Sequence, residues 1–434
     1  MKKNIIIMVV LFFSYPITFI GADISNQDSI TEDSDEIITE SLEDYLETAA
    51  SNNQELEAAF NEWKAALEII LEVDVLPDPR FTFRYFIVPI QTLTGPQQAS
   101  FSLTQTFPWM GKLNLKGKKA KEKAYVYKAK FDKLLLDINL KVKKAYYEFA
   151  YLVQAIIITE EILDILRYID NVARSAYSTG DVPYSDLIRT QVELGIVEDQ
   201  IRTLQDLVAP TSAKLNAAMN LPMDTVLAMP SSIPILKLEE SNEILKDFIQ
   251  VNNPELMAYS YIAMSEEYAI KLAKKEYFPD FTFGVETIAT GSARNPGVAD
   301  SGRNPMMAFV SVNVPLWQKN RRAAVRKASI RKFAAIEKRR GLEENLFADL
   351  ELSLFKYRDA NRKVELYENN LIPKARESLA VTLDAFETTR SNFIDLKDTE
   401  RTLLELQLSY VRALADQAIY FAEIEAITGK NLKN

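Results

Sequence analysis

Of the side chains that usually carry chemistry, this sequence keeps the carboxylates, hydroxyls and amines and drops the rest. It has no histidine and no cysteine. Cys–His and Ser–His–Asp catalysis are therefore excluded, as are His- or Cys-ligated metal centres. A pair of carboxylates could still cleave a glycosidic bond, but no acid pair sits in a pocket-like context. The ten methionines are scattered, with only Met306 and Met307 adjacent, so they form no metal relay. The expectation is a protein that is not an enzyme and needs no cofactor. Two other chemistries remain. Trp109 and Trp317 each stand just before a basic run: Lys112, Lys116, Lys118, Lys119, Lys121 and Lys123 in one case, Lys319, Arg321, Arg322, Arg326, Lys327, Arg331 and Lys332 in the other. Tryptophan suits a membrane–water interface. The basic runs suit either anionic lipid head groups or a plain solvated helix face. Nucleic acid is not an expected partner, because the chain is net −10 and has no recognisable reader fold.

These residues are set on long helices. Residues 112–179 contain no proline and one internal glycine, Gly117. As a helix that stretch spans about 100 Å. Leu135, Ile138, Val142, Ala145, Phe149, Leu152 and Ile156 recur at gaps of three and four, the seam of a coiled coil. So long a rod needs other long helices beside it.

The chain supplies them by repeating itself. Asn52-Asn53-Gln54-Glu55-Leu56 returns as Asn252-Asn253-Pro254-Glu255-Leu256, and Pro79-Arg80-Phe81-Thr82-Phe83 as Pro279-Asp280-Phe281-Thr282-Phe283, both 200 residues on. Ala176-Tyr177 and Asp186-Leu187 return as Ala385-Phe386 and Asp395-Leu396, 209 residues on. The organisation that follows is a signal peptide over 1–22, with Lys2 and Lys3 before a short apolar run, then an acidic flexible linker over 23–40. A first repeat occupies 41–222, with helices over 41–51 and 55–75, a β-hairpin over 80–108, the long helix over 112–179 and a return helix over 185–220. A linker over 223–240 leads to a second repeat at 241–432. Its parts are a helix over 241–251, a β-hairpin over 280–315, a long helix over 321–388 interrupted at Gly341 and Pro373, and a return helix over 391–428. Pro210 should kink the first return helix, and its counterpart is Ile419. Ser185 and Ser391 are candidate N-caps.

The strands alternate. Phe101, Leu103 and Phe107 share one face, and Ser102, Thr104 and Thr106 the other. Strands are expected over 80–88, 101–107, 281–289 and 308–314, with loops at 89–98 and 290–305. Their length fits transmembrane strands. Four cannot close a barrel, and open edges are forbidden in lipid. Strands that span a membrane here therefore require a barrel shared between chains.

The ordered, duplicated set resembles the TolC-like outer-membrane efflux proteins. It includes Asn-Asn-Pro-Glu-Leu at 252–256, Tyr-Phe-Pro-Asp-Phe at 277–281, Leu-Ile-Pro-Lys-Ala at 371–375 and the turn from Gly180 to Asp186-Leu187. The stretch 107–112, Phe-Pro-Trp-Met-Gly-Lys, is similar to the branch serving heavy-metal-type pumps. The resemblance implies a mainly α fold with a small β part. Long helical hairpins form a periplasmic α-barrel, and four transmembrane strands per chain make a barrel completed by trimerisation. It implies a passive channel in the outer membrane of a Gram-negative-type cell, extending into the periplasm. Its partners would be outer-membrane lipid, a periplasmic adaptor and an inner-membrane pump of RND or ABC type. Carried over residue by residue, the gate is Asp395 and Asp398, a ring of carboxylates that would favour cations. Asp186 and Arg390 would hold the closed tip, although Arg390 is one residue off the usual place and Thr389 replaces a common glycine. Gly180, Asp181, Ser185, Thr389 and Ser391 would form the adaptor-docking tips, and Trp109 and Trp317 the membrane-interface anchors. The competing reading is a coiled-coil scaffold or adhesin without a pore. It accounts for the helices but not for paired alternating strands flanked by tryptophan.

Overall fold

The computed structural model describes residues 41–230, 232–388 and 393–432. The expected signal peptide and acidic linker lie outside them, as do Thr389, Arg390 and Ser391.

Two short helices open the first half, α1 (Leu42–Asn52) and α2 (Gln54–Val73). Ser41 caps α1 in a capping box with Asp44, and Asn53 caps α2 by accepting the Leu56 amide. The second half repeats the device. Ser241 caps α6 (Asn242–Asn252), and Asn253 caps α7 (Pro254–Lys275), where Pro254 takes the first helical position.

The first hairpin is longer than its composition suggests. β1 covers Arg80–Thr92 and β2 covers Gly95–Phe107, so most of the expected loop at 89–98 is strand. Pro89 is accommodated at a register shift between Tyr85 and Ile90, where an irregular ladder needs no donor from it. In the second half β3 (Phe281–Thr290) and the short β4 (Met306–Val312) flank a true loop. All four strands form one antiparallel sheet in the order β1-β2-β3-β4. The central pair joins the two halves through the register Phe101↔Thr287 and Phe107↔Phe281.

α3 runs unbroken from Lys112 to Thr179, 68 residues. Its return is split into α4 (Tyr184–Asp206) and α5 (Val208–Ala218) at Leu207. Pro210 explains the split, since it offers no amide to the carbonyl of Asp206 and its ring crowds that carbonyl. Pro183, not Ser185, occupies the N-cap of α4. The second long arm is α8 (Gln318–Leu366), a π-turn at Tyr367–Leu371, and α9 (Ile372–Glu387). Gly341 lies inside continuous helix, so the interruption expected there is absent. The break comes just before Pro373, where the Ile372 amide reaches back five residues to the Tyr367 carbonyl. The last return helix, α10 (Phe393–Thr428), is unbroken.

The core is a coiled-coil seam. Ile138, Val142, Phe149 and Leu152 of α3 are buried. Towards the tip, Ile162, Leu166 and Ile169 pack with Leu187, Val197 and Ile201 of α4, Leu379 of α9, and Leu396 and Leu403 of α10.

Candidate functional site

Three regions hold the residues singled out by the sequence: the sheet, the strand-to-helix junctions and the helical tips.

The sheet has two unlike faces. Phe81, Phe83, Tyr85, Leu103, Val285 and Val310 are 46–68% exposed. Neighbouring rings on this face touch, with Phe83 to Phe101 at 5.2 Å and Phe107 to Phe283 at 5.7 Å between centroids. The opposite face is polar. Arg84 Nη1 meets Glu286 Oε1 at 2.7 Å, the Thr106 and Thr282 hydroxyls are 2.9 Å apart, and Ser100 and Ser102 are buried. One bare aromatic face against one hydrogen-bonded face is the pattern of a membrane barrel wall. Gly284 faces Phe309 directly across β3–β4. A Cβ on Gly284 would lie 2.4 Å from the ring, so the ring occupies the space that only glycine leaves. The outer strands β1 and β4 each keep one unpaired edge within the chain.

At the first junction Asp280 ties strand to helix. It accepts the Trp109 amide at 2.7 Å and Lys112 Nζ at 2.8 Å, and its own amide donates to Asn313. Lys112 is almost completely buried and also reaches Glu276 at 3.2 Å. Burial pushes the Asp280 carboxyl up, but Lys112, the Trp109 amide and Asn313 together hold it below the usual carboxylate range. The two expected anchors differ. Trp109 stacks on Phe278 at 4.9 Å and on Phe281 at 6.0 Å, while Trp317 is 78% exposed. Further along α3, burial and the neighbouring Lys123 push the Lys119 ammonium down, with Arg331 and Lys327 of α8 acting the same way against Glu266. The two basic runs therefore converge in space.

At the first tip Gly180 takes the left-handed conformation that ends α3, φ 83°, and the Asp181 amide closes back on Ala176 O at 2.8 Å. Ser185 lies in the first turn of α4. Asp186 is buried and takes Arg189, on its own helix, at 3.2 Å. The expected partner Arg390 lies outside the described residues. At the second tip Asp395 and Asp398 are both exposed one turn apart on α10, with Leu396 buried between them. Two polar contacts join the first hairpin to the second nearby: Tyr168 Oη donates to Glu387 at 2.7 Å, and Lys397 Nζ lies 2.8 Å from Glu193 Oε2.

Glu400 was not singled out by the sequence. It is 1% exposed, on α10. Burial, with Glu193 close by, pushes its carboxyl up to about 7 against Arg401 and Lys397. The signal was present in its spacing: four residues after Leu396 and three before Leu403, it falls on the seam.

No helix among the described residues is long and apolar enough to cross a membrane, and no group of three or more acids among them could hold a metal ion.

Against known proteins, residues 247–430 match the family model described as outer membrane efflux protein. The chain is 20% identical over 394 residues to the cobalt-zinc-cadmium resistance protein CzcC of Cupriavidus metallidurans, covering 90% of each. Among solved structures it is similar to the outer-membrane channel OprN, with a TM-score of 0.69, 13% identity and 90% of each chain covered. It is also similar to the Neisseria gonorrhoeae MtrE outer membrane channel in its open state, with a TM-score of 0.67, 16% identity, and 90% and 89% covered.

Proposed function

We propose that this chain, a member of the TolC-like outer-membrane efflux family, works as one third of a passive export channel. The observation that carries the reading is a four-stranded sheet with one bare aromatic face and two unpaired edges, mounted on long helices, one of them about 100 Å. Unpaired backbone in lipid costs several kcal/mol per group, so the edges of β1 and β4 need partners. Three copies supply them and close twelve strands, the polar face turned to the lumen. Trp109 and Trp317 then lie where the wall meets the periplasmic boundary, Trp109 as a packed ring and Trp317 as one free to enter the interface. The tips at Gly180, Asp181 and Ser185, and at Thr389 and Ser391, receive a periplasmic adaptor, and an inner-membrane pump of RND or ABC type supplies the energy.

In this reading Asp395 and Asp398 ring the narrow end, six carboxylates in three copies. Their joint exposure on one face of α10 supports that role, and such a ring attracts cations and repels anions. Asp186 serves the closed tip from a buried position.

Single-channel conductance in a planar bilayer tests both parts, with wild type beside Asp395→Ala/Asp398→Ala. Cation-selective pores that lose selectivity or widen in the variant are expected. Pores indifferent to the variant would remove the gate and keep the channel. A folded, inserted trimer without pores would favour a scaffold.

A further inference from the structure

The seam between α4 and α10 holds two carboxylates where apolar side chains are the rule. Glu193 of α4 and Glu400 of α10 are 4% and 1% exposed. Both Glu400 oxygens lack a hydrogen-bond partner. Lys397 comes within 2.8 Å of Glu193 Oε2, but that oxygen receives no well-aligned hydrogen bond. One ammonium thus stands beside Glu193, and Glu400 is left on the seam of α10 between the buried Leu396 and Leu403. Among the described residues, the charged groups that act on Glu400 are Glu193 from α4 and Lys397 and Arg401 from its own helix. Of the helices packed against the same seam, α3 carries the buried Asp170, which is paired with Arg174 of its own helix at 2.7 Å. A buried carboxyl without a partner is far more costly ionised than neutral.

We propose that Glu400 is a proton-governed catch between the two hairpins: neutral, it lets α4 and α10 pack, and ionised, it drives them apart. The inference rests on the channel reading only for its consequence, a tip that loosens as the medium turns alkaline. The sign follows from linkage. Folding raises this acid from an ordinary 4.5 to about 7. The packed seam is therefore fully stabilised below about 4.5, and that stabilisation drains away as pH rises toward about 7.

The chain has no cysteine, so Asp199→Cys on α4 and Glu405→Cys on α10 can be spin-labelled alone. The reading is the label-to-label distance in the full-length membrane-inserted protein, diluted with unlabelled chain, at pH 5 and pH 8. In the otherwise wild-type chain the distribution should lengthen and broaden at pH 8. With Glu400→Gln added it should keep its pH 5 form at both values, and with Glu193→Gln the change should shrink. A wild-type distribution indifferent to pH, or a Glu400→Gln variant that follows it, overturns the catch. Bilayer conductance of the same samples separates the two readings. Distances that move without any pore keep the catch and sink the channel, whereas pores above a pH-indifferent seam do the reverse.

Discussion

In the first half the long arm is continuous for 68 residues and the return arm breaks at Leu207. In the second the long arm breaks at Tyr367–Leu371 and the return arm is continuous for 36. Subtracting the 209-residue offset places the second break beside residues 158–162 of α3. Gln205 Nε2 lies 3.5 Å from Glu160 Oε1, so that level of α3 faces the first break. Both hairpins therefore break at the same height, in opposite arms. A single proline selects which arm.

The tips differ in a second way. Tyr177 and Tyr184 meet as tilted rings across the first turn at 5.4 Å, and Phe386 and Phe393, 209 residues on, meet across the second at 6.5 Å. The tyrosines are 45% and 58% exposed, and the phenylalanines 2% and 0%. One motif serves as surface in one repeat and as core in the other.

The largest expected effect exploits that contrast. Phe393→Ala should cost about 3–5 kcal/mol, while Tyr184→Ala should stay within about 1 kcal/mol, read as the fall in the thermal unfolding midpoint. Equal losses would mean the two tips are not packed differently. Next, Asp164→Pro puts a proline in α3 at the position matching Pro373. It should destabilise by about 3 kcal/mol, because α3 has no wide turn ready for it; a near-neutral result would show that this arm too can bend. At the junctions, Lys112→Ala should cost about 2 kcal/mol, less than a fully buried pair since Asp280 is partly solvated, and the exposed Lys319→Ala almost nothing. Asp280 titrates below its usual range, so the Lys112 contribution is present above pH 3.8 and fades as pH falls through the lowered value. Acid unfolding of the two variants, compared with wild type, checks the sign. The smallest effect is Gly284→Ala, about 1–2 kcal/mol through displacement of Phe309. At the matching place in the first half Arg84 stands with its side chain paired to Glu286. Adding Phe309→Ala should recover part of the loss in a double-mutant cycle.

Much of the frame was legible in the sequence because it rests on period and punctuation. The absence of proline over 112–179 and the three-four spacing of its apolar residues mark α3, and the recurrence of Pro-x-Phe-Thr-Phe marks the paired hairpins. Residues 89–98 misled because Pro89 and Gly95 read as loop, whereas a register shift absorbs the proline and the glycine opens a strand. Gly341 misled because one glycine costs a long helix only about 1 kcal/mol, too little to break it. At the candidate site, exposure of Asp395 and Asp398 follows from their place on either side of Leu396. The partner of Asp186 and the isolation of Glu400 do not, because both depend on which helix lies opposite.

The unequal outer strands have a consequence for assembly. β1 has 13 residues and β4 has 7, and neither edge can be satisfied within one chain. In the trimeric reading each edge is completed only by a neighbour, so the last step of folding is a reaction among three molecules. Its extent then depends on the third power of subunit concentration in the membrane, and dilution alone should unmake the wall while leaving the helical hairpins intact.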